Sequence, residues 1–255
     1  MRIALLLAFL SALPLCGQIT LLDHKSARST TAGGTATTPA MNGSSCTSGC
    51  FIAVCAGMYL QDPGTTGTLS TSGVTGGTTT HGTTYSTTNH GYTTLFYIYG
   101  ITSITSSVTV SLARASGSGG YAQVAAAIFS GVAASSPFDQ QAGLNTVTAG
   151  TAQPGSLTPA TNAELGVSCA TVQATAGSPT ISGSSYSLLD AIAADATVAL
   201  TTASAYVIQT TAAAANPTWT FTTLTGDTGG GIFQSFFKQA TGPSVVRHRA
   251  FVIQQ

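Results

Sequence analysis

Residues 51–60 are apolar on both parities: Phe51, Ala53, Cys55 and Tyr59 fall on one side of an extended chain, and Ile52, Val54, Met58 and Leu60 on the other. Such a segment must be covered on both faces, which makes it a central strand of a layered β structure. The theme returns, with β-branched and aromatic residues, at 92–99, 104–112, 121–129, 164–172 and 203–210. Each run is bounded by Gly, Ser, Thr, Asn or Pro clusters, the punctuation of an all-β chain. In Thr218-Trp219-Thr220-Phe221-Thr222 the threonines face one way and the aromatics the other, as in a half-buried strand. Residues 245–253 form a further candidate strand. Residues 188–200 are Ala-rich and helical by propensity, yet Tyr186, Leu188, Asp190 and Ile192 alternate with small residues, and a strand is favoured there. About ten to thirteen short strands predict a single two-sheet antiparallel sandwich occupying residues 18–255.

Charge narrows the function. Only 5% of the 255 residues are charged, seven Lys plus Arg against seven Asp plus Glu. A nucleic-acid partner is excluded by this, since such binding rests on Lys and Arg neutralising phosphates. Disorder fits poorly with 43% hydrophobic residues. The polar surface is therefore built from hydroxyls and amides. Thr and Gly dominate residues 64–91, read as a long hairpin or exposed loop with edge-strand character.

The start of the chain reads as an export signal. Arg2 is followed by an apolar run over residues 3–15 and by Cys16-Gly17-Gln18, so residues 1–17 are expected to be a cleaved signal peptide and the protein secreted or placed at the cell surface. The run is shorter than the roughly 20 residues that span a bilayer, and no transmembrane segment is expected. Lipidation of Cys16 would need a small residue before it, where Leu15 stands. Export permits disulfides among Cys46, Cys50, Cys55 and Cys169. The turn-forming stretch from Asn42 to Cys50 favours a Cys46–Cys50 bridge. Cys55 and Cys169 each lie in an apolar run, which leaves buried free thiols and a bridge both open.

Several short pieces carry a resemblance: Leu22-Asp23-His24-Lys25-Ser26-Ala27, Thr37-Thr38-Pro39-Ala40-Met41-Asn42, Ser136-Pro137-Phe138-Asp139-Gln140-Gln141, Ala205-Tyr206-Val207-Ile208-Gln209 and Asn216-Pro217-Thr218-Trp219. With Phe129-Ser130-Gly131, Ser156-Leu157-Thr158-Pro159 and Glu164-Leu165 they resemble a group of uncharacterised exported bacterial proteins and similar domains of phage-encoded surface proteins. What the resemblance implies is a jelly-roll or lectin-like β-sandwich. Members tend to carry an Asp-rich turn ending in Gly-Asn-Thr-Trp, where this chain has Leu69-Ser70-Thr71-Ser72-Gly73-Val74-Thr75.

The chemistry available is sparse. A glycosidase needs two carboxylates about 5 to 10 Å apart, and Glu164 has no acidic neighbour in sequence. Asp190 and Asp195, at odd separation, point to opposite faces of a strand. The Gly-x-Ser-x-Gly elbow and the phosphate-loop motif are both absent, and no catalytic residue is assigned. A hydrolase whose triad uses His24, His81, His90 or His248 is the weakest of the readings. No cofactor is expected, apart from structural calcium at Asp139 and Asp227, which sit in turn-like contexts; ordinary Asp turns are the plainer reading. His81 and His90 flank a polar hairpin-like stretch without a known ligand spacing.

Uncharged glycans stack on aromatic rings and hydrogen-bond to amides and hydroxyls, groups this composition supplies. Tyr85, Tyr92 and Trp219 are the candidate ligand-binding residues, with Tyr97 and Tyr99 beside them, and at least half of the five are expected in the core. The leading expectation is a non-catalytic exported protein that binds a glycan or cell-surface polymer. The second is a self-associating structural or adhesive protein, because low charge leaves strand edges unprotected.

Overall fold

The computed structural model describes residues 17–59, 67–86, 91–114, 120–147, 150–173, 177–194, 198–221 and 229–241. Residues 1–16 of the expected signal peptide, His90, Asp195, Asp227, His248 and the strand expected at 245–253 lie outside them. Among the described residues there is no helix, and the strands in chain order are β1 (Thr20–Arg28), β2 (Ala36–Thr37), β3 (Phe51–Tyr59), β4 (Thr68–His81), β5 (Tyr85–Ser86), β6 (Gly91–Ala113), β7 (Ala122–Ser130) and β8 (Phe138–Leu144). They continue with β9 (Thr151–Ala152), β10 (Glu164–Val172), β11 (Thr180–Ser182), β12 (Ser187–Ile192), β13 (Thr201–Gln209), β14 (Thr218–Thr220) and β15 (Gly230–Phe237).

The fold is all-β and antiparallel, as expected, but the described strands form three sheets rather than two. A seven-stranded sheet runs β1-β7-β3-β6-β2, with β4 and β5 also paired to β6; a five-stranded sheet runs β12-β13-β10-β15-β8; β11-β14-β9 make a small third. The double-sided apolar pattern of β3 explains why the larger sheet needs two cores. Phe51, Ala53 and Cys55 face the five-stranded sheet, meeting Leu165, Val167, Cys169, Phe233 and Phe237. Ile52, Val54, Ala56 and Met58 face the other way, into a core closed by the sheet's own curl, where Met41, Val108, Val110 and Leu112 return over them. A third core lies behind the five-stranded sheet, where Trp219 and Phe221 pack on Ala203, Ala205, Ile232 and Phe236.

Cys55 on β3 and Cys169 on β10 are bridged across the main core, with alpha carbons 5.7 Å apart. Of the two readings the sequence leaves open, the bridge is the one found, because the two central strands cross at these residues. Cys46 and Cys50 also stand as a disulfide pair, alpha carbons 5.7 Å apart. At one end of the main core, Gly57 makes the close approach of the sheets feasible: a methyl group there would overlap the hydroxyls of Thr202 and Thr171.

Strand β6 shows how glycine acts in this chain. The sequence reads as two strands, 92–99 and 104–112, yet β6 runs unbroken through Gly100, whose φ is 67°. Glycine at positive φ bends a strand without ending it. Its partner β4 fills the Thr/Gly-rich segment as a long exposed edge strand, in register with β6 from Thr68 opposite Ala113 to His81 opposite Phe96.

Candidate functional site

The two large sheets meet along a seam where β4 and β6 of one approach edge strand β8 of the other. A groove of about 490 Å³ opens there, lined by His81, Gly82, Thr83, Tyr97, Phe138 and Gln141. Strand β8 positions its side of the groove through a one-residue irregularity: Phe138 pairs with Phe237 and Gln140 with Phe236, so Asp139 is the extra residue. That bulge puts Phe138 and Gln141 on the same side of the strand, whereas regular alternation would oppose them.

Gln141 ties the seam together. Its Oε1 accepts from Thr83 N at 2.9 Å and its Nε2 donates to Thr83 O at 3.3 Å, so one amide reads both groups of one backbone residue. Tyr97 lies nearly parallel to Phe138, ring centres 6.0 Å apart at 12°, and is also stacked with Tyr99 at 6.0 Å. Phe237 backs both Tyr97 and Phe138. Burial, and then the neighbouring Tyr99, hold the Tyr97 hydroxyl above its ordinary pKa, so it stays a neutral donor. His81 is exposed at the rim, and its Nδ1 is 2.9 Å from Gly82 O. A carbonyl only accepts, so this bond places the proton on Nδ1 and leaves Nε2 available to solvent or ligand. The groove therefore offers the half-buried ring of Phe138, with Tyr97, 6% exposed, stacked against it, and hydrogen-bonding groups from His81, Thr83 and Gln141, with no Lys, Arg, Asp or Glu among its lining residues.

The residues the sequence nominates for binding are distributed differently. Tyr92 and Trp219 are each 0% exposed. This corrects their assignment to a ligand surface: Tyr92 packs in the curled core, and Trp219 donates from Nε1 to Ser168 Oγ at 2.9 Å in the third core. Alternation marks an aromatic's face but not what covers that face: the sheet's own curl covers Tyr92, and the five-stranded sheet covers Trp219, which stands on β14 of the small third sheet. Tyr85 is half-buried, stacked on Phe233 with centres 5.9 Å apart. Its ring packs inward against the main core. Phe138 and Gln141 go unnominated because Pro137 and Asp139 make their surroundings read as a turn. The aromatic wall was partly visible in Tyr97 and Tyr99.

Asp139 sits in the bulge of β8 rather than in a turn, its Oδ2 accepting from Ala160 N of the segment before β10 at 2.9 Å and from Gln140 Nε2 at 3.2 Å. Among the described residues no three His, Cys, Asp or Glu side chains are grouped as a metal site. Glu164 is fully buried; its Oε1 accepts from Thr161 N at 2.9 Å and Thr161 Oγ1 at 2.8 Å, and its Oε2 is unpartnered. Desolvation is the largest influence and holds Glu164 above the usual carboxylate range; nearby Asp139 pushes the same way, while Thr161 and Lys238 oppose it.

Elsewhere, His24 Nδ1 on β1 meets Asp190 Oδ2 on β12 at 2.9 Å, and Ser26 Oγ donates to Asp190 Oδ1 at 3.3 Å. Asp23 accepts from the amides of Asn42 and His24, each at 2.8 Å. Burial disfavours its charge, but these amides and Lys25 outweigh it and set the carboxyl below its ordinary value. Serine, histidine and aspartate thus meet at this second seam, but both contacts go to the aspartate, and no serine–histidine bond of a triad is formed.

No protein-family model, no curated protein and no solved structure matches the chain. Among the described residues no helix is long and apolar enough to cross a membrane.

Proposed function

We propose that this chain is an exported, non-catalytic β-sandwich of jelly-roll or lectin-like type that binds a neutral glycan, or a cell-surface polymer built from one, in the groove between His81, Tyr97, Phe138 and Gln141. The reading takes the two large sheets as the sandwich and the curled half and third sheet as elaborations of it. One observation carries it: the stacked Tyr97–Phe138 pair beside an amide and an imidazole, in a groove lined by no Lys, Arg, Asp or Glu. Sugar rings present apolar C–H faces to such a wall and hydroxyls to such a rim. Support for export comes from the two disulfides and the leader at residues 1–17. Support for a binding rather than catalytic role comes from the placement of the described titratable groups, since His24 with Asp190, His81, and Glu164 near Asp139 occupy separate places.

The test is retention on a glycan array and on insoluble cell-wall polysaccharides. Neutral glycans should retain the protein, replacement His81→Ala should weaken retention, and added salt should leave it nearly unchanged because no ion pair is involved. Retention only by acidic polymers, abolished by salt, would overturn the proposal, as would no retention at all.

A further inference from the structure

Five of the eight charged side chains among the described residues stand on edge strands. Strand β1 carries Asp23, Lys25 and Arg28, β12 carries Asp190 and β8 carries Asp139. Charge on an edge strand is a standard guard against pairing with another chain, because a new strand would have to desolvate it. The remaining long edge, β4, is the exception. Among the described residues it pairs only with β6, most of its residues are exposed, and from residue 63 to residue 113 the chain contains no Lys, Arg, Asp or Glu.

Glycine interrupts this edge in its middle. Register shifts fall between Ser72 and Val74 and between Thr75 and Gly76, and Gly73, Gly76 and Gly77 have φ of 77°, 69° and 93°. Such bulges twist an edge away from a continuous partner. Before them, Thr68 to Ser72 pair one-to-one with Ala113 to Thr109, leaving a regular five-residue run with its outer backbone edge open among the described residues.

We infer that this run of β4 is a self-association edge, pairing antiparallel with the same run of a second copy about a two-fold axis. A second copy fits because the edge carries no charge to be complemented, and Thr and Ser side chains face their like across an antiparallel pair without penalty. Two-fold pairing uses the same patch on both chains and closes on itself, and the central bulges stop the contact from spreading along the strand. The product is a weak, reversible dimer. It carries two grooves, so surface-bound glycan is held with the avidity of linked sites.

The dimer is independent of the glycan proposal and is tested without a ligand. Sedimentation of the full exported chain, disulfides intact, should show apparent mass rising with concentration toward twice the monomer. The double replacement Ser70→Lys with Thr71→Lys, at two exposed positions, should return it to monomer at all concentrations. A control with the same added charge, Thr210→Lys with Thr211→Lys, should still dimerise. Wild-type protein that stays monomeric throughout overturns the inference, and so does a dimer that both lysine pairs disrupt equally or that neither disrupts.

Discussion

Glu164 is a carboxyl group fully buried with one oxygen unpartnered. Its folded-state pKa is raised, chiefly by desolvation, so the folded protein retains a proton that the unfolded chain has lost. Stability from this group is therefore fully present below the unfolded value of 4.5 and declines as pH rises through the folded pKa. Glu164→Gln preserves the acceptor for Thr161 and removes the titration. The variant should melt a few degrees above wild type at pH 7.5 and equal it near pH 4, read by calorimetry; superimposable pH profiles would contradict this account of the site. Residue identity gave partial guidance elsewhere. The Cys46–Cys50 loop is readable because both cysteines sit in one turn. The pairing of Cys55 with Cys169 depends on how two strands cross, which no local pattern encodes. Trp219 is similar: its alternation marks a covered face, but the small sheet that holds it against the five-stranded sheet is completed by segments at 151–152 and 180–182 too short to announce themselves.

At the scale of elements, strands whose two faces differ in an obvious way were legible. Residues 51–60, 164–172, 203–210 and 218–222 foreshadow β3, β10, β13 and β14 closely. Strand β15 was hidden because Gly229-Gly230-Gly231 resembles a loop, whereas Gly231 in fact lets Tyr85 pack against it: a methyl group there would overlap the Tyr85 backbone and Cβ. Strands β1 and β8 were masked by polar residues, which here are edge charges and seam contacts. The disulfides give this scale its prediction. Closing 114 residues of chain restricts the unfolded state far more than closing four. In the loop-entropy relation, losing Cys55–Cys169 costs about 4–5 kcal/mol and losing Cys46–Cys50 about 2 kcal/mol. Denaturant titration of the paired Cys→Ala variants checks the order; an equal or reversed cost would mean that the intersheet bridge is not the main restraint.

At the scale of the molecule, low charge turns out to be a matter of placement. Five of the eight described ionic residues stand on edge strands, while the groove lining and the β4 edge hold no Lys, Arg, Asp or Glu. A neutral groove selects uncharged ligands, and a neutral edge admits a second copy. The all-β class was legible in the sequence because punctuation and alternation are local. The groove was not, because its walls come from β4, β6 and β8, brought together only by the seam, and because a bulge at Asp139 sets the faces of Phe138 and Gln141 against simple alternation. Residue-resolved NMR during titration with a neutral oligosaccharide chosen by the array tests the central claim most directly. Shifts should concentrate on His81, Gly82, Thr83, Tyr97, Phe138 and Gln141; shifts confined to the separate groove at Ser184, Ser185, Thr210 and Thr211, or none at saturating sugar, would contradict it.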